Sequence, residues 1–346
     1  MIRKSIFLKM FVMSMVVVSL FGCASKNTIK NFTSDRILFL SDKGNTNQWY
    51  LMDPDGKNVE ALNFPIPQGA TLESLIWQSE LKMFFLNLVS TDGKVDIFSY
   101  KLGDTKLTQI SHDGGLKSNS VYSKDSNLIT YVCFDYGMDI CVMDLSGKNY
   151  KKLTSFITNE TSPTFINGGK EILFVSAHSG IENIWKTDLN GEYLVNISNI
   201  GFMELNPRVS ADGNQIVFES QRDSNWNIFT MNLDGTNVKD LTNNESSNRQ
   251  PQWSSNDQKI AFLSDRDGSN NIFVMNNDGS DLKNLTQDFI GKIQSFIWSG
   301  DNQSIYFVGL AENNLQIYSV NIDNSVINQV TKDQANHTSM SWIGAN

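Results

Sequence analysis

The sequence predicts an all-β fold: a seven-bladed β-propeller of four-stranded antiparallel blades, closed by the C-terminal strand joining the first blade. Two residue columns recur seven times with a period near 44, and each copy reads as four short strands separated by turns. The first copy lacks an opening strand, while the C-terminus holds one in excess. A period of about 44 with four strands per copy is a propeller signature, and propellers run from about four to eight blades.

In chain order, residues 1–22 read as an export signal. Arg3, Lys4 and Lys9 precede the apolar stretch Met10 to Leu20, the positive segment and short apolar core of a signal peptide. That stretch covers about half of the roughly 20 residues a spanning helix needs, which argues against a permanent transmembrane anchor. It ends in Leu20-Phe21-Gly22-Cys23, which resembles the bacterial lipobox, with Phe21 bulkier than usual. The resemblance implies that Cys23 becomes the acylated first residue of the mature chain. Several acyl chains on one residue meet the requirement for stable anchoring. In a Gram-negative host, Ala24 rather than Asp after the cysteine implies the outer membrane, with the protein facing the periplasm. Residues 23–35 then form a lipidated tether and 36–346 the propeller.

The repeats are countable. The apolar residue opening the second strand recurs as Ile37, Phe84, Ile129, Ile172, Ile216, Ile260 and Ile305. The final-strand pair recurs as Leu62-Asn63, Ile110-Ser111, Leu153-Thr154, Ile197-Ser198, Leu241-Thr242, Leu285-Thr286 and Val330-Thr331. The first-strand column is Trp77, Tyr122, Phe165, Val209, Trp253, Trp298 and Trp342, so the segment around Trp342 is expected to complete the blade that Arg36 begins. Closure of this kind removes exposed sheet edges.

Strand order also separates two faces. Turns between first and second strands (Asp212-Gly213) and between third and fourth (Asp55-Gly56, Asp234-Gly235, Asp278-Gly279) share one end and are tight reversals needing positive φ. Loops 177–183, 221–227, 243–250 and 265–271 share the other end, the loop face. Variable loops on a rigid scaffold usually carry binding, so any functional site is expected there.

The composition, 40% hydrophobic and 11% aromatic, suffices for a large core. The net charge is −9, and loss of residues 1–22 leaves 25 basic against 37 acidic side chains, or −12. That sign excludes a phosphate-backbone binder, so no nucleic-acid partner is expected.

Candidate chemistry is sparse. Asp265-Arg266-Asp267-Gly268 places glycine fourth, whereas a calcium loop of EF type needs it sixth with a distant Glu, so these are turns. His112, His178 and His337 fall on the loop face at non-equivalent repeat positions; they are the available metal ligands, and solvent-exposed loop histidines are the plainer reading. No Gly-x-Ser-x-Gly elbow is present. Cys133 and Cys141 flank a hairpin turn, and whether they bond depends on register, since directly opposed residues are the close ones. Arg222 and Arg266 share a column, with Trp226 and Arg249 in adjacent loops. Arg and Trp are enriched at binding hot spots, which makes the four a candidate partner patch. The structural reading, which the sequence favours, pairs the two column arginines with Asp223 and Asp267 and packs Trp226 on a neighbouring loop.

The repeats resemble those of the TolB-like (PD40, WD40-like) propeller family: an aromatic, Ser-Pro-Asp-Gly, an apolar triplet, Ser-x-Arg-Asp-Gly, Ile-Tyr-x-Met-Asp, Asp-Gly and Leu-Thr. The resemblance runs from Arg36 to Ile343, with repeats five and six matching best. The family's namesake has six blades and an extra N-terminal domain, and only about a dozen residues here separate Cys23 from the first strand, so that domain's roles are not implied. A complete propeller without a catalytic constellation or cofactor motif points to a non-catalytic protein-binding or scaffolding lipoprotein of the cell envelope, its partner an envelope protein. The alternative is a metal-dependent carbohydrate-active enzyme resembling oligogalacturonate lyase, with its site on the loop face.

Overall fold

Runs such as Ile260-Ala261-Phe262-Leu263 form strands because a blade packs against neighbours on both faces, so both alternating sets of side chains are apolar. The computed structural model describes residues 34–134, 137–198, 201–222, 224–243 and 246–344. The export signal, Cys23 and most of the tether lie outside the described residues. Among these residues the strands build seven four-stranded antiparallel sheets, with no helix. The ring is a seven-bladed β-propeller. Six blades follow chain order, and the seventh pairs His337–Ile343 with Arg36–Ser41, the closure expected from the first-strand column. That composite sheet is blade 1 below, and blade 7 ends with Ile327–Gln329.

The core is distributed rather than central. Seven apolar clusters each lie between two consecutive blades, one for every interface of the ring. The cluster between blades 5 and 6, for example, packs Val217 and Ile228 on Ile260, Phe262, Phe273 and Met275. Each fully buried Ile or Phe contributes roughly 1.5–3 kcal/mol.

The final-strand column has a direct physical role. The hydroxyls of Ser111, Thr154, Ser198, Thr242, Thr286 and Thr331 accept the backbone N–H of Ile97, Ile140, Ile184, Ile228, Ile272 and Ile317 at 2.8–3.0 Å. In six of the seven blades a short hydroxyl side chain thus caps the third strand, and Asn63 occupies the position in blade 1. The third-to-fourth turns also touch the preceding blade. Gly56 (φ 81°) has no room for a side chain, since a Cβ there would sit 2.5 Å from the Val330 carbonyl oxygen.

Every inner strand shifts register against its second strand. In five of them a residue at the shift takes positive φ: Asn119, Ser162, Asn206, Gln250 and Ser339. Such a bulge bends the strand and re-aims the side chains that follow it. Regular alternation from the sequence therefore fails within each inner strand.

Cys133 and Cys141 are joined as a disulfide, with Cα atoms 5.8 Å apart. They are not directly opposed, which corrects the expected geometry: Cys133 faces Asp139 and Cys141 faces Tyr131. They are diagonal neighbours on one face of the hairpin, and the twist of a strand pair shortens one of its two diagonals.

Blades 3 and 4 enclose a buried acid pair. Glu160, opening the inner strand of blade 4, accepts from Ser176 (2.9 Å) and Thr158 (3.0 Å). The Thr154 hydroxyl lies within 3.3 Å of both Glu160 and Asp139, and Asp139 is ion-paired to Lys152 at 2.6 Å. Burial, reinforced by the Asp139 charge and opposed by the hydroxyl bonds, pushes the Glu160 pKa up to about 7. The unfolded chain therefore releases this proton near pH 4.5 while the native protein keeps it. Stability from this group is full below that pH and declines as pH rises through about 7, by up to ~3 kcal/mol. Urea denaturation at pH 5 and pH 8 checks it: Glu160→Gln is expected to remove most of the decline. An undiminished decline in the variant would assign it to other groups.

Candidate functional site

Three of the four candidate residues on the loop face, Trp226, Arg249 and Arg266, meet across blades 5 and 6, while Arg222 stands apart, and the partners differ from those expected. The third strand of blade 5, Asn225–Asn232, carries Trp226, and the inner strand of blade 6, Asn248–Trp253, carries Arg249. The Arg249 guanidinium lies 3.9 Å from the Trp226 ring centroid and its Nε is 2.7 Å from Glu219 Oε2. Glu219 is fully buried, and its other oxygen accepts from Asn206 Nδ2 (2.7 Å) and the Gln250 backbone N–H (2.6 Å). One buried carboxylate thus ties together the bulges of two adjacent inner strands and fixes Arg249, whose side chain stays 37% exposed, over the indole.

Arg266 is not ion-paired to the expected Asp267, whose charge acts on it only through space and which accepts from Asn284 at 2.6 Å. Its guanidinium donates to Asn248 Oδ1 (2.9 Å) and Ser264 Oγ (3.0 Å) and lies over Phe273, and burial lowers its pKa. The Asn248 carboxamide continues to the Trp226 carbonyl (3.2 Å) and Asn227 (3.0 Å), so Arg266, Asn248, Trp226, Arg249 and Glu219 form one connected chain. Arg222 lies 3.9 Å over Phe229 and 5.0 Å from Phe202, while Asp223 lies outside the described residues. Arg222 and Arg266 are therefore occupied within their own blades, which leaves Trp226, Arg249 and Phe202, 39% exposed, to face outward.

The structure does not gather the histidines. His112 is exposed in the loop from blade 2 to blade 3, and His178 stacks on Phe156 at 3.7 Å in blade 4. His337 departs from the solvent-exposed reading: it is buried at the closing strand, packed on Phe39 and bonded to Asp333 at 2.8 Å. Burial lowers its pKa against the opposing pull of Asp333. A loop histidine becomes a seam residue because it opens the strand that closes the ring. Among the described residues no group of three His, Cys, Asp or Glu side chains is placed to hold a metal ion.

Two residues escaped the sequence reading. Glu219 stands in the column Leu40, Asn87, Val132, Val175, Glu219, Leu263, Val308, where its charge among mostly apolar equivalents was a visible signal. Arg208 sits beyond the bulge of its inner strand, so counting alternate residues does not locate it. It borders a cavity of about 220 Å³ between the inner strands of blades 5 and 6, lined also by Asn206, Gln250, Pro251 and Gln252.

This architecture defines the class: a closed seven-bladed propeller of tandem four-stranded repeats. The model for the TolB beta propeller domain matches residues 132–225 and 193–292, and that for the dipeptidyl peptidase IV N-terminal region matches residues 245–344. The TolB homolog of Chlorobium chlorochromatii (strain CaD3) is 28% identical over 149 residues, 43% of this chain. The match spans only 32% of that relative's length. Over residues 132–292 the repeats thus match the TolB-like β-propeller. Among solved structures, TolB from Acinetobacter baumannii is 19% identical, with 86% of this chain and 78% of that one covered, at a TM-score of 0.52. An oligogalacturonate lyase from Vibrio parahaemolyticus is 12% identical, with 88% and 87% covered, at 0.64. A puromycin-hydrolyzing peptidase from Mycobacterium tuberculosis is 14% identical, with 88% and 53% covered, at 0.63. At these identities the structural likeness is one of fold alone.

Proposed function

We propose that this protein is an exported lipoprotein, tethered through Cys23, whose propeller holds an envelope protein without catalysis. The observation that carries the reading is the Trp226–Arg249 stack, held from below by the buried Glu219, with the partly exposed Phe202 against Arg222 in another loop of the same face. A rigid aromatic and an arginine with its orientation already fixed lose little freedom on binding, the property of a hot spot. The fully exposed Ile157 and Ile290, in other loops of this face, add apolar contact area. Similarity to the TolB propeller over residues 132–292 supports a binding role, and the lipobox-like Leu20-Phe21-Gly22-Cys23 supports the tether.

Crosslinking in intact cells, followed by mass spectrometry of what the protein retains, tests the reading. Trp226→Ala and Phe202→Ser are expected to reduce recovery of the partner about tenfold or more, and Cys23→Ser to move the protein from the membrane to the soluble fraction. Unchanged recovery in both loop-face variants would remove the patch. An ultraviolet assay for unsaturated uronate products should stay blank; a signal would favour the lyase alternative.

A further inference from the structure

The ring's axis holds a cation that none of the contacts above employs. Among the described residues of the seven inner strands, the well-exposed charged side chains are Glu73, Arg208 and Lys292. Lys292 opens its strand at the loop face, whereas Arg208 is the sixth residue of Met203–Val209 and lies within the channel. Enclosure by the channel wall disfavours its charge and lowers its pKa, with Glu219 acting in the opposite sense. Glu219, however, is already ion-paired to Arg249 and hydrogen-bonded to Asn206 and Gln250. Among the described residues Arg208 forms no ion pair of its own.

The remaining lining determines what complements it. Asn206 spends its amide N–H on Glu219, and Gln252 donates to the Phe296 carbonyl at 2.8 Å. Both therefore retain amide oxygens, which accept. The cavity combines the fork of guanidinium donors with two acceptors and the Gln250 carboxamide. At about 220 Å³ it holds roughly seven water volumes, enough for a small acid or the last residue of a peptide but not for a folded segment.

We propose that this cavity binds a carboxylate that carries a hydrogen-bond donor on its α-carbon. Arg208 takes the carboxylate through paired N–H bonds, the geometry that a planar guanidinium favours. The amide oxygens of Asn206 and Gln252 accept from the α-substituent. A hydroxy acid and a peptide C-terminus share this chemistry. The site does not depend on the loop-face patch or on the tether, and loss of either leaves it standing.

Calorimetric titration of the full-length protein in detergent, with L-malate and with N-acetyl-alanyl-alanine, tests it. Saturable binding of at least one is expected below about 10 mM, and which one binds identifies the source. Glutarate, which lacks the α-donor, and the C-terminal amide of the peptide are expected to bind at least about tenfold more weakly. Arg208→Met is expected to lose about tenfold or more, and Arg208→Lys to recover only part of it. Gln252→Glu, which places a carboxylate beside Arg208, gives the same loss with the guanidinium intact and guards against a folding defect in the first variant. No saturable binding of either probe, unchanged affinity in both Arg208→Met and Gln252→Glu, or inorganic phosphate binding as tightly as the acids would overturn the proposal.

Discussion

Deleting residues 337–346 is expected to abolish cooperative folding of the whole ring, not just to loosen one blade. His337–Ile343 is the inner strand of blade 1, and Arg36 pairs with Ile343, Ile37 with Trp342, Leu38 with Ser341 and Ser41 with His337. Ile343 is fully buried in the cluster between blades 1 and 2, while Trp342 and Met340 pack on the cluster between blades 7 and 1. One deletion therefore strips two interfaces and leaves Arg36–Ser41 as an unpaired edge. The lost apolar burial and strand pairing exceed about 5 kcal/mol, comparable with the whole net stability of a typical domain. Urea denaturation followed by tryptophan fluorescence should lose its single steep transition. Ile343→Asp is expected to lower the midpoint in the same direction, by burying an unpaired carboxylate. A truncated chain with an unchanged midpoint would mean that the ring does not need its clasp.

The architecture was legible because its causes repeat. Each second-strand Ile or Phe fills the same interblade position, and each final-strand Ser or Thr in six blades caps the same N–H, so the columns could be counted before any contact was known. The closing strand was legible for the same reason, since Trp342 belongs to a column that the first repeat leaves empty. Site details were less legible because they arise where the repeat is broken. The inner-strand bulges at Asn206 and Gln250 shift the alternation and deliver Arg208 to the channel. The partner of Arg266 lies in a neighbouring strand, at Asn248, rather than beside it in sequence at Asp267. The diagonal placement of Cys133 and Cys141 depends on register and twist, neither of which spacing reveals. His337 illustrates the limit from the other side: its position on the loop face was readable, but its burial follows from ring closure.

Glu219→Ala is expected to destabilise the protein by about 2–4 kcal/mol, the cost of leaving two buried donors unsatisfied and a partly exposed guanidinium without its partner. The column suggests the contrary, since five of the six equivalents are Leu or Val. What decides the sign is the polar set the carboxylate serves: the Arg249 guanidinium, the Asn206 amide and the Gln250 backbone N–H are all left without it. Glu219→Leu should fare little better, because filling the space does not satisfy those donors. The paired change Glu219→Leu with Arg249→Met removes the charge on both sides and is expected to recover the part of the loss due to the unpaired guanidinium, while the Asn206 amide and the Gln250 N–H stay unsatisfied, as a double-mutant cycle in urea would measure. That variant also separates stability from function. If Arg249 is held over Trp226 to meet a partner, the doubly substituted protein still folds, more stably than Glu219→Leu alone, and retains the partner poorly. Equal retention by the two proteins would make the ion pair a device for locking blade 5 to blade 6 and nothing more.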